Sequence, residues 1–428
     1  VPKVALKELK YVLSPIKIEV ESFEDKLFKI TNLYDFIYLS RFDCRWKLTK
    51  EGKIIDKGII GAIPVPPKRS EIIKIDTEFP ENGNCYLHIS FHQIGDNAWA
   101  DEGNEIAFCQ FKIPTECASE TVKLSGELAV TEDDARIFIT GNGFKYTFSK
   151  LSGTFTQLCI DGKNQLEKPI EYNIWRAPTE NDQNAGNGIA AKWDMARYRY
   201  AESYPRNVIL SQYDSKVEIK TTLIIAAAGR SPVATVDAVW TVNSAGIIDV
   251  TNDVTFDTSL PFLPRFGIKT AMKRTFDTAE YFGYGPYESY IDKHNACYKG
   301  RFKTKVQNML PYLVYPQEGG NHYDTLWGAV YNKDGCGLIF ASENGFDFSA
   351  LSYSAEQLAA AKHSFELGEP DKTYICADYM QSGVGSNACG PELPEKYRLN
   401  DERFNFSLSI RPLRSGNNLL KNAICKYE

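Results

Sequence analysis

Apolar side chains recur at every second position in run after run of this 428-residue chain, and the runs are punctuated by Gly, Pro, Asn and Asp. Such alternation puts one face of an extended segment in a core and the other against water or polar neighbours, so it predicts antiparallel sheet. Phe404-Asn405-Phe406-Ser407-Leu408-Ser409-Ile410-Arg411 is the clearest case. Further strands are expected at Leu27 to Leu33, Cys85 to Gln93, Glu105 to Ile113, Ala135 to Thr140, Tyr146 to Ser149, Lys216 to Ala226 and Tyr374 to Met380. Val233 to Val242 is β-branched with a less regular alternation, which predicts burial on both faces. Only Ser354 to His363 reads as a convincing helix, with Ser354 as N-cap and Glu356 in the first turn, where the helix dipole favours an acid. A second short helix is expected through Ala190 to Tyr198. The fold class is all-β.

The first 115 residues hold strand signals at the spacing of an immunoglobulin-like β-sandwich, broken once by Pro64-Val65-Pro66-Pro67. Pro114 to Glu120 lacks periodicity and reads as a connector. Residues 116–428 show no comparable break and are expected to form one large sandwich. With 43% hydrophobic and 24% charged residues, a chain of this length can build more than one substantial core, which excludes disorder. Lys and Arg total 49 against 55 Asp and Glu, and this net charge of −6 argues against nucleic acid as a partner. No apolar run approaches the ~20 residues of a membrane helix, and Val1 to Lys7 lacks the order of a signal peptide, so a soluble chain without a membrane partner is expected. Ten scattered cysteines include no Cys-x-x-Cys pair and no cluster at zinc spacing, and read as buried thiols. That pattern fits a cytoplasmic location, with the periplasm left open. His88 and His92 are expected on one polar strand face, opposite Leu87, Ile89 and Phe91, and not as a metal pair.

Three blocks concentrate polar chemistry. Trp175-Arg176-Ala177-Pro178-Thr179-Glu180-Asn181-Asp182-Gln183-Asn184 brings an Arg, two carboxylates and side-chain amides beside an aromatic ring, the ingredients of a sugar site. The plainer alternative is a surface turn with solvated charges. Tyr281 to Asp292 gathers four tyrosines, Tyr284 among them, around Gly-Tyr-Gly-Pro, with Glu288 and Asp292 nearby; a core-edge tyrosine cluster is equally open. Tyr315 to His322 combines Glu318, Asn321 and His322 on a glycine-loosened loop. Glu180 with Asp182, or Glu288 with Glu318, have the residue types of a glycosidase carboxylate pair, but spacing along the chain does not fix the required separation.

Taken in order, these blocks resemble the C-terminal portion of the bacterial β-galactosidases of glycoside hydrolase family 2. Trp175 to Asp182 is similar to that family's W-R-A-P-T-D-N-D segment, with Glu180 in place of the usual Asp. Phe282 to Asp292 matches F-G-x-G-P-x-E-x-Y-x-D. Pro316-Gln317-Glu318-Gly319-Gly320-Asn321, Phe346-Asp347-Phe348-Ser349-Ala350, Tyr353 to Leu358 and Gly383-Val384-Gly385 follow in the family's order, and Trp99 to Ala107 and Pro2 to Val12 extend the resemblance upstream. It implies an immunoglobulin-like domain at 1–115 followed by a galactose-mutarotase-like β-supersandwich at 116–428. It further implies that the catalytic glutamates sit on a (β/α)₈ barrel this chain does not contain, since the barrel needs eight strand-helix units.

The resemblance thus implies a noncatalytic portion of a β-galactosidase, inactive alone. It would shape the active-site rim, with the barrel and N-terminal domains of the same enzyme, a β-galactoside and further copies of the full-length chain as partners. No cofactor is implied for this chain, and divalent or sodium ions only for the full enzyme. Residues expected to meet sugar or barrel are Arg176, Glu180, Asn181, Asp182, Tyr284, Glu288, Glu318, Asn321 and Cys389. Cys389 stands nearest the position where the family carries a sugar-stacking aromatic, and a thiol offers no ring face. Two other readings stand beside this one: a freestanding carbohydrate-binding module lined by Arg176, Asn181, Asp182, Glu288, Glu318 and Asn321, and an aldose epimerase using His322 and Glu318.

Overall fold

The computed structural model of the chain describes residues 3–116, 120–183, 188–386 and 390–427. Contacts divide it into two units, one of residues 1–119 with 295–301 and one of 120–294 with 302–428. In the first, a three-stranded sheet (Ile16–Ser22, Leu27–Asn32, Ser70–Lys74) and a four-stranded sheet (Lys53–Ala62, Phe42–Lys50, Cys85–Gln93, Glu105–Lys112) enclose one core. Phe28, Ile30, Leu48, Leu87, Ile89 and Phe91 are all fully buried there, the packing of a sandwich of two antiparallel sheets. His88 and Ser90 share the opposite face with His92, as alternation requires, but that face is not solvated. His88 is buried, with its ring stacked on Phe108 and edge-on to Tyr298 of the 295–301 segment, a covering that local sequence does not reveal.

In the second unit a five-stranded sheet faces a twelve-stranded one, whose ladder Lys168–Asn173, Arg265–Lys273, Lys372–Gln381, Gly337–Leu351, Arg403–Leu413 carries the site described below. Phe404, Phe406 and Leu408 are buried while Arg403, Asn405 and Ser407 are exposed, the alternation written in the sequence. Ala234–Asn243 departs from expectation. Ala234, Val236, Ala238, Trp240 and Val242 are buried, Asp237 is exposed and Thr235, Val239 and Thr241 are half-buried, so along most of this strand one face is core and the other is not.

Among the described residues there are four α-helices, of six to nine residues. Ala355–Ala360 begins with a full capping box, Ser354 Oγ accepting from Gln357 N and Gln357 Oε1 from Ser354 N. It stops three residues earlier than expected because the Glu366 carboxylate takes the Lys362 N–H and pairs with His363. Ala190–Ala196 closes on Arg197 in the left-handed region. Val4–Val12 is a helix the sequence reading missed. No described helix is long and apolar enough to cross a membrane.

Candidate functional site

Four adjacent strands of the large sheet present one polar face, and their register fixes which side chains share it. Asn173 lies opposite Gly267, Gly267 opposite Asp378, and Asp378 opposite Asp347, forming one row across the sheet. The next row is Glu171, Lys269, Cys376 and Ser349. On the other side of the first row Arg265 pairs with Gln381, because a bulge at Tyr379 brings Gln381 round to the face of Asp378. Gly267 has a packing reason: a Cβ there would lie 2.3 Å from Asp378 Cα.

The inner end of this face is a buried ionic cluster. Arg265 donates through Nε (3.0 Å) and Nη2 to Asp378 Oδ2, and through Nη1 to Glu318 Oε2 at 3.4 Å. Asn173, turned so that its Oδ1 faces Arg265 Nε (3.2 Å), completes the surroundings. Burial pushes Asp378 up to about 6 despite the guanidinium beside it. It pushes Asp347 up to about 8, with the Asp378 charge across the ladder adding to the effect. Asp347 Oδ2 accepts the Gln381 N–H at 2.7 Å, whereas Asp347 Oδ1, Asp378 Oδ1, Asn321 Oδ1 and both Gln381 amide atoms have no hydrogen-bond partner among the described residues.

The polar blocks picked from the sequence converge beside this cluster. Arg176, with no exposed surface, donates through Nε and Nη2 to the Asp182 carboxylate (3.0–3.3 Å), through Nη2 to Gly383 O (3.1 Å) and through Nη1 to Ser382 O. Asp182 Oδ2 also accepts the Thr179 N–H at 2.9 Å, so the Trp-Arg-Ala-Pro-Thr turn is closed on its own carboxylate. Asn181 Nδ2 donates to Val384 O, and Glu180, exposed, donates only its backbone N–H to Gln317 Oε1. Glu288 accepts from Lys293 Nζ (2.7 Å) and Gly320 N (2.8 Å). Glu318 accepts from the Tyr290 hydroxyl at 3.4 Å, and burial raises its pKa. Asn321 Nδ2 donates to Ser289 O. The Tyr284 carbonyl meets His322 Nδ1 at 3.1 Å, and the Tyr284 ring lies among His294 and Tyr323. Cys389 lies outside the described residues.

These contacts turn Arg176, Asp182 and Glu288 into internal braces rather than open ligand-binding groups. They also separate the acid–base pair considered for epimerisation. His322 stacks on Tyr281 with its pKa lowered to about 4 by burial, Glu318 is tied to Arg265 and Tyr290, and no hydrogen bond joins the two. Among the described residues no group of three or more His, Cys, Asp and Glu side chains is placed to hold a metal ion, and Cys44, Cys85, Cys109, Cys159, Cys336, Cys376 and Cys425 are free thiols.

The polar face opens toward solvent as a cleft with about 640 Å³ of empty space, counting the solvent at its mouth. Arg265, Glu318 and Asn173 form its inner end, and Lys269, Glu171 and Glu356 its mouth. Of the described residues predicted from sequence, only Glu318 lines it. Arg265, Asp378 and Lys269 were missed; their signal is a charge inside an otherwise apolar strand run, as in Leu263-Pro264-Arg265-Phe266 and Ile375-Cys376-Ala377-Asp378.

Comparison with known proteins bears on both units. Residues 140–410 match the family described as Beta galactosidase small chain, and residues 28–114 match the one described as Beta-galactosidase, domain 4. A β-galactosidase of Actinobacillus pleuropneumoniae is 31% identical over 418 residues, 96% of this chain and 40% of that protein. A β-galactosidase of Staphylococcus xylosus is 33% identical over 287 residues, 67% of this chain and 28% of that one. The chain thus spans well under half the length of these curated relatives. Among solved structures, a galactose 1-epimerase from Lactobacillus acidophilus NCFM aligns with 69% of this chain and all of its own at TM-score 0.35 and 9% identity.

Proposed function

This chain belongs to the β-galactosidase small-chain family, and from that membership we propose that it is the noncatalytic C-terminal portion of a β-galactosidase, supporting the catalytic barrel and shaping the rim of its active site. In this reading residues 1–115 are the immunoglobulin-like domain and 116–428 the β-supersandwich. The barrel and N-terminal domains of the same enzyme are its partners, and the full-length enzyme assembles as a homo-oligomer acting on terminal β-D-galactosides. The observation that carries the reading is the state of the carboxylates. Cleavage of a glycoside needs an acid and a nucleophile or base that both reach the anomeric carbon. Asp182 and Glu288 are instead held in close ion pairs with Arg176 and Lys293, so neither pair considered from the sequence, Glu180 with Asp182 or Glu288 with Glu318, has both members available. Four short α-helices among the described residues also fall short of the eight a (β/α)₈ barrel requires.

Arg176, Asn181 and Asp182 then work as positioning residues. Arg176, oriented by Asp182, and Asn181 bond the Ser382, Gly383 and Val384 carbonyls and so hold the segment that precedes Cys389, which this reading assigns to the rim. Free thiols at Cys44, Cys85, Cys109, Cys159, Cys336, Cys376 and Cys425 support a reducing, cytoplasmic location. The test is hydrolysis of an aryl β-galactoside by this chain alone and by the chain mixed with the N-terminal remainder of a homologous β-galactosidase. No turnover alone and turnover on mixing is the expected pair of results; turnover by the chain alone would overturn the assignment.

A further inference from the structure

The cleft over the polar sheet face has chemistry that the proposed supporting role does not use. Its lining carries three cations, Lys168, Lys269 and Arg265, and three carboxylates, Glu171, Glu318 and Glu356, so its formal charge sums to zero. A cleft of this balance gives no net attraction to a strongly charged ligand while offering many donors and acceptors close together.

The hydrogen bonds within it are unevenly spent. Asp182, outside the cleft, receives close bonds from Arg176 and from Thr179 N. Glu318, on the cleft's inner wall and equally buried, receives only two, from Arg265 Nη1 and the Tyr290 hydroxyl, both at 3.4 Å. An ionised carboxylate has roughly four acceptor sites, and bonds of this length are at the weak end, so Glu318 retains accepting capacity. Lys269 is similar: its Nζ lies 3.4 Å from Glu356 and 3.8 Å from Glu171, and all three side chains are partly solvated. Leu351, Leu358 and Tyr353 also line the cleft and add apolar side chains to its polar ones. Polar groups able to donate and to accept, next to an apolar wall, suit a molecule with hydroxyls on its edge and C–H groups on its face.

We propose that the cleft formed by the strands Lys168–Asn173, Arg265–Lys273, Lys372–Gln381 and Gly337–Leu351 with the start of the Ala355–Ala360 helix binds a small neutral polyol, entering from its solvent-open mouth. Arg265 and Glu318 meet its inner hydroxyls, and Lys269 and Glu356 its outer ones. The site is separate from the Arg176 turn and needs no barrel, so its test is independent of the hydrolysis assay.

The experiment is calorimetric or saturation-transfer NMR titration of the full chain with galactose, glucose and galacturonate. The same titrations are run on Glu356→Gln, Lys269→Met and the double variant, each checked for native tryptophan fluorescence. These two side chains are partly exposed, so the variants should fold. A neutral hexose should bind with a Kd on the order of 1 mM. The double variant should weaken it by about tenfold, the loss of one to two charge-assisted bonds. Galacturonate should bind no more tightly than galactose. Absence of saturable binding by either hexose, binding unchanged in the double variant, or a clear preference for galacturonate would each overturn the proposal.

Discussion

Replacing Asp347 by Asn should remove a pH dependence of stability that the buried carboxylate builds into the second unit. Asp347 is 2% exposed, sits across the ladder from Asp378, and is pushed up to about 8 from an ordinary value near 3.8. Below pH 3.8 it is protonated whether the chain is folded or not. As pH rises, the unfolded chain ionises first while the folded one keeps its proton, so stability falls until the folded group itself ionises near pH 8. Two neighbours complicate the acid side. Asp378, raised to about 6, gives the same sign up to that pH. His322, lowered from 6.5 to about 4, gives the opposite sign, because the unfolded chain takes up its proton first as pH falls. Above pH 6.5 neither contributes further.

From pH 6.5 to pH 8 the Asp347 share is therefore about 1.5 pH units at 1.36 kcal/mol each, a ceiling of about 2 kcal/mol. Asn is close in shape to the protonated acid and can still accept the Gln381 N–H, so the fold should survive. Urea unfolding followed by tryptophan fluorescence reads the effect, since Trp175, Trp193, Trp240 and Trp327 are all buried in this unit. With an m-value on the order of 3 kcal/mol/M, the wild-type midpoint should drop by roughly 0.7 M more than the variant's across this range. Parallel midpoints at pH 6.5 and pH 8 would refute the reasoning, because they would mean that Asp347 exchanges no proton between the two states.

Arg176→Met should cost about 3–5 kcal/mol in the same assay, since it strands the Asp182 carboxylate and two carbonyls in the interior. Gly267→Ala should cost about 3 kcal/mol, the upper end for overpacking, because the added methyl meets the Asp378 backbone and not a movable side-chain tip. Ser354→Ala, which opens the capping box, should cost about 1 kcal/mol, and Ser354→Asp should restore most of it. Cys44, fully buried with its thiol pushed up to about 12, should resist iodoacetamide at pH 8 in the native chain and react once urea is added, as peptide mapping would show.

The strands were legible wherever one face is core and the other is wet, because period-two alternation records that difference directly, as at Phe404 to Ile410. Legibility failed where burial comes from distant chain. His88 has the polar neighbours of a solvated face, but its covering is Tyr298, more than 200 residues away. Helix Val4–Val12 was missed because none of its residues is buried, so no core-facing stripe marks it. For the site, the motif blocks pointed to residues that do converge, Arg176 with Asp182 and Glu288 with Gly320. Sequence could not show that these carboxylates are already occupied. Arg265 and Asp378 stand 113 positions apart, and only the register of their strands joins them. The bulge at Tyr379, which decides that Gln381 shares their face, leaves no trace in local composition.

The seven residues 295–301 belong with the first unit although the stretches on either side belong to the second, so the polypeptide passes from one to the other at 119/120, 294/295 and 301/302. Severing the gene after residue 119 would therefore not yield two self-sufficient products. The downstream piece would carry off Tyr298, and the upstream piece would keep His88 and Phe108 with one wall of their aromatic pocket removed. Anyone dissecting this protein should graft 295–301 back onto the shorter product, or judge its solubility knowing that a lid is missing.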